Sequence, residues 1–297
     1  MKGKWIVAGS GLLIGAALLF GKYYYRTQFS MDTITMELPP ISAVDIPALT
    51  SNEHQQVLEI LSQPYTYLGM GNQSFAFESA DHQYVLKFFK FAHLKPNEKD
   101  ADTAIARSKQ RRIDRIFNSH QLAYELNKDN AGLIYLQLRP DEHFQQVVDV
   151  TDRWGHKQQV DLSKVVFVLQ RKTTPARTEI SRLLDKGDVE TAKKRFQAMI
   201  DLHLSEYSRG IYDQDHNVMH NTGFIGEKAI RFDVGKMARK EEMKTNYHHD
   251  LERVRNRIDK WLKKYYPQYH DEIVRDVLPD KKIEHSDEHS IPAQYHR

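Results

Sequence analysis

The sequence predicts an α+β domain in two halves, an antiparallel sheet carrying one long helix and then a smaller, mostly helical half, set behind a hydrophobic N-terminal segment. Three observations predict it. A charge-free stretch opens the chain from Trp5 to Gly21, runs of aromatic and β-branched residues fill much of 65–91 and 132–170, and from Asp188 the apolar residues recur at helical spacing instead. Of the 297 residues 40% are apolar and 28% charged, which argues for a folded domain rather than a disordered chain or a polytopic membrane protein. The net charge is only +3, with acids interspersed among the bases, so no nucleic-acid partner is expected. The absence of cysteine excludes disulfides, thiolate zinc sites and cysteine nucleophiles.

The stretch WIVAGSGLLIGAALLFG, preceded by Lys2 and Lys4 and followed by KYYYR, reads as an uncleaved single-pass anchor over 1–26 that meets the lipid bilayer through residues 5–21. Bases flank both ends almost equally, so the sequence does not orient it. Residues 27–50 hold three prolines, no glycine and no sustained period, and read as an extended stalk. Folding is expected to begin at Ser51, an N-cap for a short helix ended by Pro64. YTYLGMGNQSFAFE and QYVLKFFKF, split by Ser79-Ala80-Asp81-His82, then read as a hairpin with a glycine-bearing bend in its first part.

A charged helix follows between Asn97 and Asn127, with Ile105, Ile113, Ile116, Phe117, Ala123 and Leu126 on its buried face. Its Arg107, Lys109, Arg111, Arg112 and Arg115 invite a phosphate or lipid reading, but read first as a solvated face. Further strands, GLIYLQL, FQQVVDVT, KQQVDL and VVFVLQ, complete a first half over 51–172. The second half, 173–278, has a long helix from Asp188 stopped by Gly210, the short strands TGFI and AIRF, and two closing helices; a polar tail, 279–297, is expected to be disordered. His248-His249-Asp250 and HSDEHS are too poorly converged to suggest a metal.

Three segments could carry chemistry. Gly69 and Gly71 in LGMGNQSF lie at a hairpin bend, where a missing side chain lets backbone approach a polyphosphate. Lys87 stands inside an apolar strand, where an ammonium needs an anionic partner or a path to solvent. In GIYDQDHNVMHNTGFIGEKAIRFDVG the acids Asp213, Asp215 and Asp233 accompany Asn217 and Asn221. A carboxylate to orient a hydroxyl, with an amide and a carboxylate to hold magnesium, is what phosphoryl transfer requires.

In this order the motifs resemble the protein-kinase-like fold over about 60–240. LGMGNQSF is similar to its glycine-rich loop, with Ser74 where a third glycine is usual; Lys87 is similar to its nucleotide-contacting lysine, and Asp233-Val234-Gly235 to its DFG motif. The resemblance implies a two-lobed fold binding ATP and Mg²⁺ in its cleft. Gly69, Gly71, Ser74 and Lys87 would contact the nucleotide, Glu125 (or Asp114) would pair with Lys87, Asn221 and Asp233 would hold the metal, and Asp215 or Asp213 would orient an acceptor. The chain departs from the pattern in reading IYDQD in place of HRD, in spacing Asp215 six residues before Asn221, and in having only 62 residues after Gly235 with no APE. Those departures leave a pseudokinase, a scaffold without transfer, as the alternative. The whole-chain texture also resembles a group of membrane-anchored bacterial proteins of chlamydial type, which implies no activity.

Overall fold

The computed structural model describes Gly21 and residues 27–36, 49–92, 94, 95, 103–278 and 295. The expected anchor over 5–21 (but for Gly21), most of the stalk, and the tail apart from Tyr295 lie outside the described residues. Among the described residues no helix is long and apolar enough to cross a membrane. The fold is α+β.

Its first part is a seven-stranded mixed sheet with order β4-β7-β3-β2-β1-β5-β6. The expected bend in 65–78 is itself a tight turn, so β1 (Tyr65–Met70), β2 (Ser74–Ser79) and β3 (Tyr84–Phe89) form a meander. β4 (Leu133–Gln137), β5 (Val147–Thr151), β6 (Lys157–Asp161) and β7 (Phe167–Arg171) complete the sheet, with β5 parallel to β1. Pleating divides the strands between two cores. Phe75, Phe77, Leu86, Phe88 and Phe167 face one core, covered by α1 (Met31–Ile34) and α2 (Ser51–Leu61). Phe89, Leu136 and Val168 face the other, covered by α3 (Ala104–Ala131).

Two expectations shift here. The N-cap of α2 is Thr50, one residue earlier than expected; it forms a capping box with Glu53, whose Oε2 accepts the Thr50 amide at 2.9 Å. Residues 27–36 belong to the domain rather than to an extended stalk. Phe29 is buried and meets Phe77 edge-on at 4.7 Å, while Thr33 O accepts the Phe91 amide.

Helix α3 begins at N-cap Thr103 and stops at Gly132, whose φ of 63° is glycine's territory. It is broken at Asn127 (φ −138°), whose amide donates to Glu206 and accepts from Arg209. Beyond β7 the chain passes through β8 (Thr174–Pro175) into α4 (Ala176–Asp185) and α5 (Val189–Ser208), the latter capped by Asp188 as its sequence indicates. β9 (Ile211–Asp213), α6 (Val218–Asn221), β10 (Thr222–Ile225), β11 (Lys228–Arg231), β12 (Met237–Arg239), α7 (His248–Tyr265) and α8 (Pro267–Val277) follow. A third core of Leu183, Phe196, Met199, Ile258, Trp261 and Ile273 holds the helices together.

Candidate functional site

A cavity of about 390 Å³ lies between the sheet and the helical part. β3 is an interior strand, flanked by β2 and β7, so Lys87 has no sheet edge to escape from. Its register partners are Ala76 and Val168, and all three line the cavity together with Val85 and Phe89. The ammonium donates to the carbonyl of Phe232 at 2.6 Å and sits 5.8 Å from that ring's centroid. Burial pushes the Lys87 pKa below its ordinary value, and the Asp233 carboxylate opposes that only in part.

Above the lysine lies the turn between β1 and β2. Gly71 N donates to Ser74 O at 2.9 Å, Lys90 N donates to Gln73 O, and the Lys90 ammonium donates to Gly71 O. The Gly71 amide is thus engaged in the turn, and the glycine offers space rather than a free N–H. A Cβ at Gly69 or Gly71 would meet nothing within 4 Å. Packing in the ligand-free protein therefore gives no reason for either glycine. Gly235 is the opposite case: a Cβ there would collide with the Gln73 side chain, because the tip of the turn rests on it.

The opposite wall comes from the loop between β9 and α6 and from the strand exit after β11. The Asn221 carbonyl accepts the amides of Phe232 (3.0 Å) and Asp233 (3.3 Å), which fixes Asp233 beside the asparagine. The Asn221 Nδ2 donates to Asp213 at 3.1 Å and lies 3.5 Å from Asp215, which leaves Oδ1 as the amide's remaining acceptor. Asp233 is exposed and its Oδ1 accepts the Gly235 amide at 3.2 Å. Asp215 lines the cavity and meets the Lys236 ammonium at 3.2 Å. Seven residues singled out from the sequence therefore border one cavity: Gly69, Gly71, Ser74, Lys87, Asp215, Asn221 and Asp233.

Three others do not. Asp213 is buried, and its Oδ2 accepts from Arg231 at 3.0 Å and from Asn221, so it braces the loop from behind. Glu125 is exposed and accepts from Gln121, while Asp114 accepts from Gln110. The helix instead turns Ser119 and His120 toward this region. Ser119 Oγ donates to Val234 O at 2.5 Å, and His120 lines the cavity. The physical reason is helical phase. At 100° per residue Glu125 and Asp114 lie about 140° and about 120° around the helix from His120, both on the same side. His120 Nδ1 donates to Ile116 O at 2.8 Å, which leaves Nε2 as an acceptor. Burial pushes the His120 pKa down to about 4, with the Lys87 charge acting in the same direction.

Behind the loop lies a second polar cluster that the sequence reading missed. Arg231 is fully buried and donates to both Glu206 oxygens at 2.6 Å and to Asp213. Burial opposes its charge, but Glu206 and then Asp213 outweigh that and raise its pKa. Asn127 of α3 donates to the same Glu206 at 2.9 Å, so α3 and the acidic loop share one network. His216, in a left-handed backbone conformation (φ 51°), is held by Asp250, which also accepts from Tyr207 at 2.7 Å.

The cavity can take an anion at Lys87 and a hard cation at Asn221 and Asp233. Among the described residues no cluster of three or more His, Asp or Glu could hold a metal alone. An amide oxygen and one carboxylate are hard oxygen donors of the kind that could hold magnesium.

No protein-family model matches the chain, and no curated protein matches it. Among solved structures it is similar to the erythromycin complex of Rv3197 from Mycobacterium tuberculosis, with 15% identity and a TM-score of 0.29. The match covers 74% of this chain and 66% of that one, just under two thirds. A likeness of that size carries no argument about fold or function.

Proposed function

We propose that the chain is a protein-kinase-like protein, held at a membrane by residues 5–21, which binds ATP with Mg²⁺ between two lobes and transfers phosphate to an acceptor hydroxyl. The observation that carries the reading is the convergence of Lys87 and Asp233, 146 positions apart, on one cavity beneath an open glycine turn. The two-lobed reading is supported by the separate clusters of the sheet (Phe75, Phe77, Phe88) and of the helical part (Leu183, Phe196, Trp261). Lys87 holds phosphate oxygens, exchanging a carbonyl partner for an anionic one. Ala76, Val85 and Val168 offer an apolar surface for a base. Bound magnesium would neutralise the phosphates and orient the transferred group, with Asn221 and Asp233 as its protein ligands. Asp215, rather than the internally paired Asp213, accepts the acceptor's proton as the new P–O bond forms and ADP leaves.

The pseudokinase alternative has its own support, since among the described residues no helix carboxylate meets Lys87 and Asp215 is paired with Lys236. One series separates the readings. Saturating Mg·ATP at about 100 times its Kd should stabilise the protein by about 2.7 kcal/mol and raise Tm by roughly 5–10 °C. Asp233→Asn should remove the magnesium-dependent part of that shift. No shift with the unaltered chain sinks the nucleotide reading. A shift with no labelled phosphate reaching any protein, lipid or small-molecule hydroxyl leaves the pseudokinase.

A further inference from the structure

Along α3, Arg107, Arg111, Arg112 and Arg115 are exposed. Arg107, Arg111 and Arg115 are four apart and form one line along the helix, with Arg112 beside it. Asp114, the only acid in 104–118, is engaged by Gln110. Among the described residues none of these arginines is in an ion pair, unlike Lys193 on α5, which meets Glu190, Glu272 and Asp276. Ile105, at the same end of the helix, is 55% exposed.

The first turns of α3 also lie where the chain enters the domain. Lys109 donates to Lys95 O at 2.9 Å, and the Lys95 ammonium donates to the Asp32 carbonyl (2.6 Å) and carboxylate (2.7 Å) in α1. The first turns of α3 are thus two side chains away from α1. With residues 27–36 packed on the sheet, only residues 22–26 separate the domain from the hydrophobic stretch, and five residues reach at most about 18 Å. A bilayer holding that stretch would lie close to this end of the molecule. Electrostatic attraction to headgroups acts over a Debye length, about 8 Å at physiological ionic strength.

We infer that Arg107, Arg111, Arg112 and Arg115 dock α3 on the anionic phospholipid headgroups of the membrane that holds residues 5–21. The inference rests on the anchor reading, and the short connection together with charge complementarity selects lipid as the occupant. The chain has no cysteine, so Ser108→Cys on the exposed stripe gives a single labelling site for an environment-sensitive fluorophore. The full chain is reconstituted with phosphatidylcholine vesicles, with or without phosphatidylglycerol, and both flotation and fluorescence are read.

Flotation with both vesicles, and a severalfold fluorescence rise only with the anionic ones, is expected. High salt, or Arg107→Gln/Arg111→Gln/Arg115→Gln, should abolish the rise without abolishing flotation. Equal fluorescence on the two vesicles with flotation intact overturns the docking and keeps the anchor. Flotation and fluorescence rise with anionic vesicles alone keep the docking and remove the anchor. A rise that survives the triple substitution overturns the assignment to these arginines. A response to polyglutamate but to neither vesicle assigns the stripe to an acidic protein and overturns the lipid.

Discussion

Among the described residues Arg231 and Lys87 each sit beside a buried histidine, and the two cations are treated in opposite ways. Arg231 lies at zero exposure between Glu206 and Asp213, with the His203 ring 3.2 Å from its Nη2. Every part of its charge is answered by the protein. Lys87 is half-buried beside His120 and has one backbone carbonyl and a distant carboxylate. The first arrangement is complete as a structure. The second leaves the ammonium with little compensation, and under the proposed function Lys87 is the binding group and Arg231 the brace.

The comparison breaks most easily at Arg231. Arg231→Met should destabilise the protein by about 3–5 kcal/mol, because Glu206 and Asp213 remain buried without a counter-charge. Urea denaturation checks this, and a loss below about 1 kcal/mol would mean that the cluster tolerates opening. The histidines give the next effect, through pH. His120 has its folded pKa pushed down to about 4, so between there and the ordinary 6.5 the unfolded chain takes up a proton that the folded one refuses. Stability from this group is therefore full above about 6.5 and falls as pH drops toward 4, by up to about 3 kcal/mol. His203, pushed down by burial and then by Arg231, acts in the same direction. Denaturation midpoints at about pH 7 and about pH 4 should converge in His120→Gln; an undiminished pH dependence would show that His120 is not held neutral.

Lys87→Met tests the other member of the pair. Without ligand it should leave stability within about 1 kcal/mol, since it removes a poorly compensated ammonium, while the nucleotide-induced shift of about 2.7 kcal/mol disappears. A large loss without ligand would make Lys87 a brace like Arg231. The smallest effect is expected at the glycine turn. Gly71→Ala enters open space and should change ligand-free stability by less than about 0.5 kcal/mol, yet weaken nucleotide binding severalfold, about 1 kcal/mol. A drop in ligand-free Tm would return the glycine to a purely structural role.

What could be read in advance was local. Asp188 and Gly210 announce the ends of α5 because a cap and a stop act within one turn. Lys87 and Asp233 could be singled out because a charge in an apolar strand and a carboxylate at a strand exit are conspicuous where they stand. The buried stripe of α3 was legible, but which of its residues meets the acidic loop was not, because that is set by contacts such as Ser119 with Val234, 115 residues away. Glu125 therefore looked plausible, although His120 already falls within the stripe of Ile113, Ile116, Phe117 and Ala123. Arg231 was hidden at the end of a short strand, since its partner Glu206 lies 25 residues earlier in another element. Phe29 was hidden by its setting, being an isolated aromatic in a stretch without period.

The break at Asn127 sets a lever ratio for any tilt of α3. With Glu206 and Arg209 gripping that residue, the 23 residues before it form a rod of about 35 Å with its fulcrum at the network end. Arg107 rides about 30 Å out and His120 about 10 Å out, so a tilt that moves the arginine by about 3 Å moves the imidazole by about 1 Å. Under the proposed phosphoryl transfer an ångström at the cavity would matter, since such misplacement at a reacting centre costs on the order of a hundredfold in rate.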